Sequence, residues 1–161
     1  MYGTQRGTPW GYSLWEFKVC TEEGEVPPEP PTNLALNKPA TASSTEPWGD
    51  YGPEKAFDSN LGTRWSSEGG LDPQWIYVDL GSTCDIGSVV LKWEAAYAKT
   101  YQIQMSDDAI NWTTVWSTSN GAGGIDTINF DPSLLARYVR MYGTQRGTPW
   151  GYSLWEFEVY E

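Results

Sequence analysis

The chain has 161 residues and a formal net charge of −11, with ten Trp and ten Tyr but no His. Such a charge repels DNA, RNA and anionic membranes, and it points to a neutral or cationic partner. The lack of histidine removes the usual general base, the commonest metal ligand and any Ser-His-Asp arrangement.

Residues 1–19 return almost unchanged as residues 141–159, the one difference being Lys18 against Glu158. A repeat at that spacing is too long for a solenoid unit and reads as two tandem copies of one domain. On this reading residues 1–20 are the C-terminal strand of an upstream twin. Met1, matched by Met141, need not be a natural start. The remnant carries the side chains needed to occupy the same strand slot, so a strand-swapped dimer through residues 1–19 is expected as one outcome. Residues 21–32 (TEEGEVPPEPPT) are acidic and proline-rich, a semi-rigid linker of polyproline II type. Residues 33–161 have the length of one domain with its own core and a net charge of about −8. No apolar run is long enough to cross a bilayer, and any secretion signal is expected upstream.

The predicted elements of that domain are short strands. Ile76, Val78 and Leu80 alternate, as do Val89, Leu91 and Trp93, then Tyr101, Ile103 and Met105. Val139 and Met141, and later Trp155, Phe157 and Val159, keep the same period of two, which buries one face of a sheet. Turn chemistry at Asp72-Pro73, Gly81-Ser82, Asp107-Asp108, Asn120-Gly121 and Asp131-Pro132 is expected to separate the runs. A helical turn or two fits around residues 53–57. The sum is an all-β sandwich.

Several aromatic residues fall in segments that read as loops: Trp48, Tyr51, Tyr97, Trp150 and Tyr152. Exposed rings stack on the apolar faces of sugars and hold cations. Neither Cys20 nor Cys84 belongs to a metal pair or a nucleophile–base arrangement. Asp58, Asn60 and Thr63 crowd hard oxygen donors into one turn, which suits either Ca²⁺ or a self-capping Asx turn. Glu156 lies in the apolar run LWEFEV, where a carboxylate is costly unless paired.

Five motifs, NLALNKPATASS, KAFDSNLGTRWSS, QWIYVDLG, YQIQMSDDAINW and the final RYVRMYGTQR…GYSLWEFEVY, occur in order. Together they resemble the discoidin, or coagulation-factor type C, domains and among them the family 32 carbohydrate-binding modules. That resemblance implies a jelly-roll β-sandwich holding its ligand on loops at one end, without catalysis, in a secreted glycoside hydrolase. It also implies a structural Ca²⁺ held by the carbonyls of Lys55, Asn60 and Trp155, the side chains of Asp58 and Glu156, and Thr63. Galactose-binding relatives use a histidine that this chain lacks. Its corresponding loops offer Glu46, Glu68 and Glu94 with the rings of Tyr97, Trp150 and Tyr152. Acids around an aromatic platform suit the ammonium groups of chitosan, and the chain is similar to tandem chitosan-binding discoidin modules of bacterial chitosanases/glucanases.

Plainer roles stay open for each. Glu46 and Glu68 fit solvated loop charges, and Glu94 fits a pair with Lys92 or Lys99. Trp150 fits a place under its loop, which leaves Tyr152 as the stacking ring. Arg64 fits a structural neighbour of the site or a place against Trp65. A neutral β-glucan or N-acetylglucosamine ligand, or a protein partner, are the alternatives to chitosan.

Overall fold

A computed structural model describes residues 30–161. The expected strand remnant (1–20), the swapped dimer through residues 1–19 and linker residues 21–29 lie outside the described residues.

Seven strands form among the described residues: β1 (Ala40–Ala42), β2 (Trp65–Ser66), β3 (Gln74–Trp93), β4 (Ala98–Ser106), β5 (Thr113–Thr118), β6 (Ile125–Arg146) and β7 (Ser153–Tyr160). The helical turn expected near residues 53–57 is one 3-10 turn, Pro53–Ala56, opened by the fixed φ of Pro53. All pairings are antiparallel, in the order β2-β7-β3-β6-β4-β5 with β1 also on β3. The fold is all-β, as the alternation implied.

Two expected turns are corners inside strands. β3 runs through Gly81-Ser82 and β6 through Asp131-Pro132, with register shifts between Asp79 and Cys84 and between Ile86 and Ser88. Such irregularities bend a strand without ending its pairing. Gly81, at φ +92°, takes the backbone angle that the bend requires. The first half of β3 pairs with β1 and with Tyr138–Gly143 of β6, and the second half pairs with Ile125–Asn129 and β7. Two bent strands therefore serve both layers of the sandwich.

The core lies between those layers. Ile76, Val78, Tyr101, Ile103, Val139 and Met141 come from one layer, and Val89, Leu91, Leu154, Phe157 and Val159 from the other, all fully buried. Trp155 departs from the expected alternation. A register shift between Lys92 and Trp93 bulges β7, so Leu154 and Glu156 are buried while Trp155 is half-exposed. The last strand is tied to the start of the domain by Leu34 N–H on the Val159 carbonyl (2.8 Å) and Val159 N–H on Asn33 Oδ1 (3.1 Å).

Candidate functional site

Four connections meet at one end of the sandwich: those after β1, after β2, between β3 and β4, and between β6 and β7. They enclose a cleft of about 580 Å³ lined by Glu46, Trp48, Arg64, Glu68, Glu94 and Trp150, with Ser66, Ser67, Ala95, Ala96 and Gly151 in its wall.

Backbone bonds lock the loops together. Glu46 N–H donates to the Ser66 carbonyl (2.8 Å), Ser67 N–H to the Tyr152 carbonyl (2.8 Å) and Glu94 N–H to the Ser153 carbonyl (3.0 Å). Ser44 Oγ accepts from Glu68 N–H at 2.9 Å, and Glu94 Oε2 accepts from Ala96 N–H at 3.1 Å. The acids sit in loops whose backbones are pinned to neighbouring segments at or close to each acid. Lys92 pairs with Glu158 instead (2.6 Å), so the plainer role of Glu94 as its partner falls away.

Among the expected sugar-site residues, the structure brings Glu46, Glu68, Glu94 and Trp150 together. Trp150 is 62% exposed, not core. Two expected residues fall elsewhere. Tyr152 is fully buried, its hydroxyl donating to Asp72, because Gly143 across the sheet leaves the space that the ring fills. Tyr97 packs against the core and against Gly123 and Gly147, anchoring the base of the β6–β7 loop through the Gly147 N–H to Tyr97 carbonyl bond (2.8 Å). Neither ring lines the cleft.

Two large lining side chains stand outside the expected sugar-binding set: Trp48, read only as one of several loop aromatics, and Arg64, read as a structural neighbour of the site. Trp48 is 87% exposed. Its signal was present in the sequence: a tryptophan between Pro47 and Gly49, outside any apolar period. Arg64 lies in the wall with Nη1 at 3.0 Å from Ser153 Oγ and 4.0 Å from Glu46 Oε2, and its guanidinium sits 4.3 Å from the Tyr51 ring centroid. That positive group offsets Glu46 in part and leaves Glu68 and Glu94 facing the cleft. Three carboxylates, one guanidinium and two flanking indoles thus line a single cleft.

Residues 39–157 match the F5/8 type C domain family. The chain belongs to that family. Chitosan-binding module 1 of the chitosanase/glucanase from Paenibacillus sp. IK-5 is 58% identical, with a TM-score of 0.77 over 81% of this chain and 99% of the module. Module 2 of the same enzyme, solved with chitotriose, is 53% identical, with a TM-score of 0.77 over 80% of this chain and all of the module. The polysaccharide lyase 8 family protein HylA of Enterococcus faecalis is 30% identical across 94% of this chain, which spans 11% of that protein's length. The family 32 module of Clostridium perfringens NanJ, at 23% identity and a TM-score of 0.70, shares the discoidin fold.

A second polar cluster of the discoidin domain lies away from the cleft, where the residue 58–63 loop and β7 meet. Asp58 accepts from Asn60 N–H (2.9 Å) and from Thr63 Oγ1 (2.8 Å), and the Asn60 carbonyl lies 2.9 Å from Thr63 Oγ1. The Asx turn is thus formed. It does not serve Glu156, which is 1% exposed with both carboxylate oxygens lacking a hydrogen-bond partner. The Ser59 and Asn60 amides lie near enough to that carboxylate to work against its upward shift, but neither completes a hydrogen bond to it, and Asn60 N–H donates to Asp58. Burial, and then the nearby Asp58 charge, push the Glu156 pKa up. The Asp58 and Glu156 carboxylates, with Thr63 Oγ1 and the Asn60 carbonyl beside Asp58, are hard oxygens of the kind that would fit a cation, whose charge would answer the buried Glu156.

Proposed function

We propose that this discoidin domain is a non-catalytic carbohydrate-binding module whose acidic cleft takes the glucosamine units of a chitosan-like polymer. The observation that carries the reading is the meeting of Glu46, Glu68 and Glu94 with Trp48 and Trp150 in one cleft. A protonated amine placed there gains a charge-assisted hydrogen bond, while an indole covers the apolar face of the same ring. The two chitosan-binding modules at 58% and 53% identity support this choice of sugar. In a larger secreted hydrolase the domain would hold the catalytic part near its polymer, and a tandem twin would add avidity by making the second contact intramolecular.

The reading extends to a structural Ca²⁺ held by Asp58, Glu156 and Thr63 with the carbonyls of Lys55, Asn60 and Trp155. It would supply the positive charge that Glu156 lacks and join β7 to the preceding loops, with no part in chemistry on the sugar.

The test is calorimetric titration with chitosan oligosaccharides beside their N-acetylated counterparts, at mildly acidic pH and two salt concentrations. The charged contact predicts binding of the amine form that weakens with salt. Equal, salt-independent binding of both sugars in the cleft would sink the carboxylate–ammonium reading.

A further inference from the structure

The broad outer face of the sheet β1-β3-β6-β4 carries an aromatic surface that the cleft does not use. Register aligns Thr41, Tyr77, Arg140 and Gln104 in one row across four strands, and Trp75, Tyr142 and Gln102 in the next. Trp75 and Tyr77 are stacked (centroids 5.6 Å, 15° between planes), and Tyr77 also meets Trp112 at 5.4 Å and Tyr138 at 6.0 Å. All five rings, Tyr142 included, stay half-exposed. Cross-strand aromatic pairing stabilises a sheet, but it does not require five adjacent rings on a solvent face of a domain that already has a full core.

We propose that this face is a second glycan-binding surface, one that takes an uncharged, N-acetylated β-linked chain. The argument for a neutral ligand is electrostatic. Arg140 lies over Trp112 at 3.9 Å and within 5.2 Å of Tyr142, at the centre of the patch, where it repels protonated glucosamine. Gln104 Oε1 accepts from both Arg140 Nε and Nη2, which fixes the guanidinium flat in the patch without cancelling its charge. Arg137 at the rim is neutralised by two bonds of 2.8 Å to Asp79, and the net negative charge of the chain opposes polyanions in general. Sugar rings stacked on the indoles, with ring hydroxyls and acetamides beside the partly exposed Gln102 amide, satisfy that mixed surface, while Gln104 stays buried beneath it and holds Arg140. The inference rests on the carbohydrate-binding reading of the domain but not on the cleft. The two sites would read the acetylated and free-amine stretches of one polymer.

The experiment follows the indole N–H signals of the full chain by NMR during titration with a chitin hexasaccharide and, separately, a chitosan hexasaccharide. The acetylated sugar should move Trp75 and Trp112 while leaving Trp48 and Trp150 in place. Its affinity should fall at least tenfold in Tyr77→Ser and stay unchanged in Glu68→Gln. Unmoved Trp75 and Trp112 signals, or shifts confined to Trp48 and Trp150, overturn the proposal, and the wild-type map decides even if the Tyr77 variant does not fold. Silence of Trp48 and Trp150 toward the chitosan sugar would count against the cleft alone.

Discussion

Gly151 packs so closely on Ser67 that a side-chain carbon at residue 151 would lie 2.5 Å from Ser67 Oγ and 3.0 Å from the carbonyl oxygens of Ser67 and Glu68. Ser67 Oγ cannot swing aside freely, because it accepts from Tyr152 N–H at 2.9 Å. Gly151→Ala should therefore destabilise the fold by about 1–3 kcal/mol, the usual cost of overpacking. It should also weaken sugar binding, since the displaced segment carries Glu68. Thermal unfolding and a binding titration of the same variant check both effects, and a variant as stable as wild type would show that this contact is slack.

Neutralising the cleft acids one at a time separates charge from shape. Glu94→Gln keeps an oxygen for the Ala96 N–H and removes only the charge, so its loss of chitosan affinity reads the ammonium contact directly. The carboxylate is half-exposed, and the expected loss is about 1 kcal/mol, roughly fivefold. High salt should shrink the difference between variant and wild type. A variant that binds as well as wild type at low salt would assign Glu94 to the loop structure alone.

What the sequence disclosed and what it hid follow from the range of the interactions. Alternation within β3, β4 and β6 is local, and Ile76, Val78, Leu91, Ile103 and Met141 are buried as that period implies. Gly81-Ser82 and Asp131-Pro132 carry turn residues but sit in strands, because pairing with a distant partner continues through the bend. The fate of each ring is equally non-local. Tyr152 looks like an exposed turn residue until Gly143, nine positions earlier, is seen to leave the hole that it fills. Tyr97 finds similar space at Gly147. Trp48 and Trp150 face no such gap and stay outside. The three cleft acids were legible because a carboxylate in a turn-rich segment stays near water; Glu94 does so although its Oε2 accepts from Ala96 N–H, and Glu46 although Arg64 lies 4.0 Å away.

The Asp79–Arg137 pair gives a pH signature. Its side-chain bonds to Arg137 hold the Asp79 carboxyl below the ordinary range. A folded-state pKa below the unfolded value of about 3.9 stabilises the protein above that value, and the contribution disappears as pH falls through the lowered one. Arg137 is 40% exposed at its side chain, so solvent screening keeps the stabilisation small. Arg137→Gln should lower the unfolding temperature at neutral pH and converge with wild type in strong acid. Parallel curves down to the lowest pH would detach the effect from Asp79.

Calcium offers the sharpest test of the buried acid. A carboxylate at 1% exposure without a hydrogen-bond partner, on a strand covered by the Asp58 loop, destabilises the metal-free fold. A cation bound only by the folded state adds about 2.7 kcal/mol at a concentration one hundredfold above its dissociation constant. The unfolding temperature should therefore rise on adding millimolar Ca²⁺ to chelator-treated protein and fall again with excess chelator. Glu156→Gln removes the buried charge but keeps the shape, so its metal-free form should be at least as stable as metal-free wild type. Added calcium should then stabilise the variant far less. Asp58→Asn should blunt the response without that compensation, because Asp58 also holds the turn through Asn60 and Thr63. If calcium stabilises wild type and Glu156→Gln equally, the ion binds elsewhere. If it stabilises neither, the buried carboxylate is held protonated, as the upward shift of its pKa allows.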